Sequence, residues 1–202
     1  MNFNRTQIIA VSVIIVLLLS FTFLDIGLKS SNTNADSTTS AYSSGEPESL
    51  LSSNIILYVH QENGFDRILE KRIVTALEET GYSVTLTYEI KEDYGSQFAF
   101  VNVVDLTMFY TPTYSKCNAD ILFGFSSTGR TQSLDIEGSD KVKTVVFSSN
   151  DTDDYQLLAQ GNIGLSDVTK GIFTYRSYQN HLAEEIAKSV ASGLDSQLKA
   201  RR

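Results

Sequence analysis

The residue types that most often carry chemistry are scarce in this chain, which contains one cysteine and two histidines. Cys117 together with His60 or His181 has the composition of a cysteine-hydrolase site, in which an imidazole accepts the thiol proton. His60 follows a predicted strand and His181 lies early in a predicted helix, but no sequence pattern places either ring beside the thiol. We therefore expect a buried and inert Cys117, with a disulfide to another chain as the alternative.

The segment GFSSTGRT at residues 124–131 differs at one position from a phosphate-binding P-loop, G-x-x-x-x-G-K-[ST]. Arg130 stands where that motif has the lysine that contacts the phosphates. A β-prone run precedes the segment, as the motif requires, but the residues after it show no helical periodicity. The pattern therefore predicts a hairpin turn at Gly129, and no cofactor is predicted for the chain.

The acidic segment NDTDD at residues 150–154 is too irregular for a calcium loop, because Tyr155 occupies the position of a ligand. We interpret it as a solvated turn, and no metal site is predicted from the sequence. Asn150 begins an Asn-Asp-Thr sequence, which is a glycosylation acceptor if the domain is exported.

Carboxylates provide the one enzymatic alternative that stays open. Glu62 follows the first strand of the predicted domain, where ligands bind in open α/β sheets. An anchored hydrolase would need a concave pocket lined by side chains such as Glu62, Asp105 and Asp120. No pattern in the sequence brings these residues together, so no catalytic residue is assigned and a non-enzymatic protein is favoured.

Aromatic residues are crowded in the segment MFYTPTY at residues 108–114, where Phe109, Tyr110 and Tyr114 surround Pro112. Proline cannot donate to a strand ladder, so this segment belongs at a strand end or a sheet edge. Aromatic residues in such a place either cover the core or contact a partner, since they are enriched in interface cores. We retain these three aromatic residues as a candidate binding patch.

The residues from Ile8 to Leu24 form an uncharged, mainly aliphatic run that lacks the polar periodicity of a soluble amphipathic helix. Such a run is close to the length needed to cross a bilayer, and bulky residues stand where a signal peptidase would need small ones. We predict a transmembrane signal anchor within residues 1–29, with lipid contacts through residues 7–28; a cleaved signal peptide is the alternative. Arg5 before the run favours a cytoplasmic N-terminus and a C-terminal domain outside the cytoplasm.

Residues 30–53 are rich in Ser, Thr and Asn and contain few apolar side chains before Leu50. A segment of this composition cannot bury enough surface to offset its ordering entropy, so it predicts a flexible linker. The folded domain is then expected to occupy residues 54–202.

Periodicity within residues 54–202 predicts an α+β fold in the order β-α-β-β-β-β-(β)-α. A buried strand at residues 55–59 precedes an amphipathic helix that ends at Gly81 and an alternating strand at 82–90. Three further β-prone runs follow at 98–110, 119–127 and 141–149, with a fourth near 155–165. An amphipathic stripe then runs from Tyr175 to Leu198 with a looser turn expected at Gly193. We predict a two-layer sandwich with a mostly antiparallel sheet and both helices on one face.

The formal charge of −8 argues against nucleic-acid binding and against docking on an anionic membrane surface. The favoured function is a single-pass membrane-anchored, extracytoplasmic binding or assembly domain whose partner is an envelope protein or a small ligand. An oligomerising structural subunit, which pairs through a sheet edge or through Cys117, is a further alternative.

Overall fold

The computed structural model describes residue 5 and residues 9–16, 27–44, 52–131, 134 and 156–199. These residues form a six-stranded sheet and three helices, of which the first, α1, contains residues 9–16. The other elements are, in chain order, β1 Gly27–Ser44, β2 Asn54–Val59, α2 Gly64–Glu79, β3 Ser83–Thr87, β4 Phe98–Tyr110, β5 Tyr114–Ser126, β6 Gln156–Phe173 and α3 Tyr175–Lys199.

The six strands lie in the order β1-β6-β5-β4-β2-β3. The β2-α2-β3 unit places β2 parallel to β3, and β2 is also parallel to β4. The other three pairings, β4 with β5, β5 with β6 and β6 with β1, are antiparallel. The prediction of an α+β sandwich with a mostly antiparallel sheet is therefore confirmed, and its parallel part is the predicted βαβ opening.

Helices α2 and α3 pack on one face of the sheet, as predicted, and they also pack against each other. Helix α2 begins at a capping box, in which the Asn63 side chain accepts from the Phe65 N–H and the Asp66 carboxylate accepts from the Asn63 N–H. Gly81 follows the helix with a φ of 96°, the left-handed conformation that ends many helices. The capping signals and the apolar periodicity are both local, which explains why the sequence located this helix well.

Helix α3 runs without a break through Gly193, so the looser turn expected there is not present. The glycine instead makes room for the sheet, since a Cβ at this position would lie 2.9 Å from the Phe123 ring on β5. The small residue is a packing requirement between the two layers. Helix propensity alone could not have shown whether Gly193 loosens the helix or makes room for a neighbouring side chain.

The opposite face of the sheet, called the outer face here, carries a small second core. Phe98 and Phe100 on β4 pack there with Leu158 on β6 and with Leu134. The Tyr94 ring stacks on Phe98 at a centroid distance of 4.6 Å. The outer face is therefore covered in part by the chain itself, at the end of the sheet where β4 begins.

Strand β1 corrects the expectation of a flexible linker at residues 30–53, because residues 30–44 pair with β6 along the whole strand. Amino-acid composition wrongly predicted a linker for these residues because β1 buries few apolar side chains. Main-chain hydrogen bonds hold the strand, and Ser31 and Thr33 on its helix-facing side bond to polar residues of β6. The sheet thus begins at Gly27, well before residue 54.

Several predictions fall on residues outside those described. These are the strand at 141–149, the acidic turn at 150–154 with Asn150, and the linker residues 45–51. Of the predicted anchor, residues 9–16 lie in α1, and residues 17–24 are outside the described part. Among the described residues, no helix combines the length and the apolar character that crossing a membrane requires.

Candidate functional site

A buried polar cluster lies between the helix-facing side of the sheet and α3. Its centre is Asp167 on β6, which is 1% exposed. One carboxylate oxygen accepts a hydrogen bond from Thr33 Oγ1 at 2.6 Å, and the other accepts from Thr169 Oγ1 at 2.8 Å. His181 Nε2 lies 3.2 Å from the first oxygen. An ionised carboxylate can only accept, so the imidazole carries its proton on Nε2.

The strand register assembles this cluster from four elements. Asp167 pairs directly with Thr33 on β1 and with Cys117 on β5. His181 extends from α3 onto the carboxylate with 15% of its side chain exposed. Since directly paired residues point to the same face, Thr33 and Cys117 both border the carboxylate on the helix side.

Burial alone would raise the pKa of Asp167, because a charge is poorly solvated inside a protein. Hydrogen bonds from His181, Thr33 and Thr169 outweigh that effect and lower the pKa of the carboxyl below its usual value. The folded chain therefore stabilises the ionised carboxylate. A group that is ionised, buried and bonded on both oxygens is suited to holding elements together and poorly suited to transferring protons.

The Cys117 thiol is equally unsuited to catalysis. It is 1% exposed, and burial followed by the charge of Asp167 raises its pKa to about 12. The attacking species in cysteine chemistry is the thiolate, which is favoured by positive neighbours and partial exposure. The expectation of a buried cysteine is confirmed, and burial also keeps the thiol away from the surface that an interchain disulfide needs.

Tyr178 on α3 completes the cluster. Its side chain is fully buried, and its hydroxyl lies near Asp167 without reaching hydrogen-bond geometry. Burial first, and then the negative charge of Asp167, raise the pKa of the phenol far above its usual value. The phenol therefore stays neutral, and neither it nor the Cys117 thiol ionises near neutral pH.

The structure divides the candidate aromatic patch between the two faces of the sheet. Tyr110 packs on the helix side, where its ring contacts Phe173 edge-on and its hydroxyl donates to the Phe173 carbonyl at 2.8 Å. Phe109 points to the outer face with 57% of its surface exposed, and Tyr114 tilts against it at a centroid distance of 6.5 Å. Tyr110 thus has a structural role, whereas Phe109 is exposed and Tyr114 is half-buried on the outer face.

The candidate carboxylates do not share one pocket. Glu62 is exposed beside β2 and pairs with His60 Nε2 at 3.2 Å. Asp105 and Asp120 face each other across β4 and β5 on the outer face, in a shallow depression that Asp36 also borders. All three aspartates are exposed, and within the described part of the chain no group of His, Cys, Asp or Glu is arranged to hold a metal.

The segment at residues 124–131 consists of the end of β5, a bend at residues 127–128 and a bridge from Arg130 to Asp93, so the hairpin turn predicted at Gly129 is not observed among the described residues. Gly129 has a φ of 82°, and its N–H donates to the Ser126 hydroxyl. Arg130 forms an isolated antiparallel bridge with Asp93, and Thr131 bonds to the Glu92 carbonyl. The chain thus leaves the strand in an extended conformation, whereas a P-loop requires a helix at this point.

Sequence reasoning missed the Asp167 cluster because its members are far apart in the chain. Thr33 and Asp167 are separated by 134 positions, and the sequence offered only Cys117 and His181, as a candidate hydrolase pair without a carboxylate. The strand predicted near residues 155–165 stopped short of Asp167 and Thr169, and their alternation just beyond it was the one local signal of a polar, inward-facing pair.

Comparison with known proteins adds little to this geometry. No protein-family model and no curated protein matches the chain. The structure is similar to PelC from Paraburkholderia phytofirmans, solved as a dodecamer, with a TM-score of 0.41 at 10% identity over 78% of this chain and 97% of that one. It is also similar to a neuraminyllactose-binding hemagglutinin homologue from Helicobacter pylori, with a TM-score of 0.30 at 10% identity over 78% of this chain and 95% of that one.

Proposed function

We propose that this chain is a single-pass membrane protein whose domain, outside the cytoplasm, binds or assembles with another protein through one edge of β1. This edge, called the open edge here, faces away from β6 and pairs with no other described strand. The observation that carries this proposal is the strand itself. β1 is eighteen residues long, lies at the end of the strand order and directly follows the apolar run. An edge of that length offers a row of main-chain donors and acceptors to a strand from another chain.

The orientation of β1 indicates which residues face the open edge. The carbonyl oxygens of Leu28 and Thr38 both lie against glycines of β6. Since main-chain polar groups alternate in direction along an antiparallel strand, even-numbered residues bond to β6 and odd-numbered ones point away. Thr39 therefore directs its N–H to the open edge, whereas Thr38 directs its N–H to the partner strand within the sheet.

The membrane part of the proposal comes from sequence and connectivity. The apolar run ends at Leu24 and β1 begins at Gly27, so the bilayer segment stops before Gly27 and does not extend to residue 28 as the sequence suggested. The domain then follows the anchor without a tether. Arg5 before the run supports a cytoplasmic N-terminus.

A non-enzymatic function is favoured over the hydrolase alternative by the state of the groups that would react. The Asp167 carboxylate is bonded on both oxygens, the Cys117 thiol is protonated, and Asp105 and Asp120 are exposed to water. Catalytic carboxylates usually need partial burial to acquire a useful pKa.

A matched pair of proline variants tests the proposal in detergent extracts of membranes that express the full chain. Thr39→Pro removes one donor from the open edge, whereas Thr38→Pro removes a bond to β6. We expect wild type to co-purify with a stoichiometric protein, and its mass then decides between a second copy and another protein. We expect Thr39→Pro to stay folded and lose that protein, and Thr38→Pro to be the less stable variant in thermal unfolding.

Two results would contradict the proposal. If folded Thr39→Pro retained its partner in full, the open edge would not be the binding surface. If wild type were monomeric and alone in extracts, the assembly function itself would fail. Protease treatment of intact cells tests the orientation separately, because a domain outside the cytoplasm is digested before lysis.

A further inference from the structure

Three exposed apolar residues and one half-buried tyrosine form a patch on the outer face of the sheet, at the end where β1 begins. We call it the strand-end patch; it consists of Leu28, Phe109, Tyr114 and Ile172. Leu28 is 80% exposed, and Phe109 and Ile172 are each 57% exposed. Isolated apolar residues on a surface are ordinary, but four on neighbouring strands at one end of a sheet indicate a contact surface.

The strand register shows that these residues share one face. Leu28 on β1 pairs directly with Ile172 on β6, and the neighbouring residue Phe173 is buried under the helices, so Ile172 points outward. Tyr114 on β5 pairs with Lys170, which is two positions from Ile172 and therefore on the same face. Phe109 on β4 reaches the Tyr114 ring. The patch thus crosses four adjacent strands.

Basic side chains surround the strand-end patch. Lys116 and Lys170 are exposed on the same face, and the Lys116 ammonium lies 5.8 Å from the centre of the Tyr114 ring. Arg176, in the first turn of α3, is exposed at the same end of the sheet. The described acidic residues of these strands are farther along: Asp120 is four positions from Lys116, about 14 Å at the usual strand rise.

Chain connectivity brings this end of the sheet close to the bilayer. From Leu24, the last residue of the apolar run, to Gly27 the chain takes three Cα steps (27 − 24), which span about 11 Å at most. A headgroup layer is about 5–8 Å thick on each side of the hydrocarbon core. If residues up to Leu24 lie in the hydrocarbon, Leu28 therefore lies in or next to the headgroups.

From this placement we infer that the strand-end patch rests on the membrane surface and contacts anionic lipid headgroups. The inference rests on the proposed anchoring of the apolar run. Phe and Tyr are residue types of the membrane interface, aliphatic side chains reach the acyl boundary, and lysines beside them attract anionic lipids. The acidic net charge of −8 had argued against such docking, but the fold gathers basic residues at this one end.

The chain contains no tryptophan, so a single introduced tryptophan reports on one site without background. We would place it at Phe109 or Ile172 in the patch, at Tyr42 as the control and at Val16 within the apolar run. Tyr42 lies on the same face of β1, fourteen positions from Leu28 (42 − 28), or about 48 Å along the strand. Each full-length variant is reconstituted in vesicles of phosphatidylcholine and phosphatidylglycerol with or without brominated acyl chains, after thermal unfolding confirms that it folds.

We expect blue-shifted emission and strong quenching by brominated lipid at Phe109→Trp, Ile172→Trp and Val16→Trp, but not at Tyr42→Trp. Replacing both Lys116 and Lys170 by Glu should reduce quenching at Ile172→Trp several-fold. The charge change Lys71→Glu on the exposed side of α2 is the matched control and should leave quenching unchanged.

The outcomes separate failure of this inference from failure of the anchor. Quenching at Val16→Trp without quenching at Phe109→Trp and Ile172→Trp means that the anchor is inserted and the patch does not touch lipid, which overturns the inference alone. A blue shift at the patch positions without quenching means that protein, and not lipid, covers the patch. This result also overturns the inference. No quenching at Val16→Trp overturns the anchor and with it the inference.

Discussion

Replacing Asp167 by alanine removes the carboxylate that joins β1, β6 and α3 through bonds to Thr33 at 2.6 Å, Thr169 at 2.8 Å and His181 at 3.2 Å. A hydrogen bond to a charged group contributes about 1.5–3 kcal/mol, and contributions within one network are not additive. The variant also takes the carboxylate acceptor away from three donors, of which Thr169 is buried and Thr33 and His181 are half-buried. We therefore expect the free energy of unfolding to fall by about 3–5 kcal/mol, since two or three hydrogen bonds to one buried carboxylate are lost together.

Urea unfolding of the full chain in a mild detergent, followed by far-ultraviolet circular dichroism, measures this loss. Asp105→Ala is the matched control, since Asp105 is exposed on the outer face of the same sheet. We expect that control to change stability by no more than about 0.5 kcal/mol. A loss below about 1 kcal/mol for Asp167→Ala would refute the view that this carboxylate holds β1 to the domain.

The lowered pKa of Asp167 predicts that the free energy of unfolding depends on pH. Its pKa is lowered in the folded chain, so the ionised form favours folding. That stabilisation is complete above the unfolded pKa of about 3.9 and is lost as the pH falls through the lower folded value. Wild type should therefore lose stability below about pH 4 more steeply than Asp167→Asn. Equal slopes for the two proteins would show that another group controls acid unfolding.

The two remaining predictions concern the aromatic segment and the thiol. Tyr110→Phe removes the hydrogen bond to the Phe173 carbonyl and should cost about 1 kcal/mol in urea unfolding, whereas Phe109→Ala, an exposed residue, should cost less than half of that. The reverse order would show that the two faces of the sheet are misassigned. Cys117 should react with a maleimide only after urea is added, and membranes run on non-reducing gels should give no Cys117-dependent dimer, because the thiol is buried and its pKa is about 12. Rapid labelling of the native chain would contradict that burial.

Local signals determined a large part of this fold. The capping box at Asn63 and the glycine at Gly81 bound α2, and the regular apolar stripe after Tyr175 identified α3. Both features depend on residues within a few positions of one another. The uncharged run that ends at Leu24 is likewise a property of the sequence by itself, and it carries the expectation of an anchor.

Only the tertiary structure showed that residues 27–44 form a strand of the sheet. Composition indicated a flexible segment, because a strand with Ser and Thr on its inner face buries little apolar surface. The sheet offers that strand a complete main-chain ladder on β6 and polar partners such as Asp167 and Thr169. These partners lie more than 130 positions away in the chain, so no local pattern could reveal them.

Contacts between residues that are distant in the chain also decide which side chains lie together on the surface. Phe109 and Tyr110 are neighbours in the sequence, yet the alternation of side chains along β4 sends one to the outer face and the other to the core. Leu28 and Ile172 meet only because β1 pairs with β6. The sequence determined which residues are apolar, aromatic or basic, and strand register, which is set by contacts distant in the chain, decided which of them form a surface.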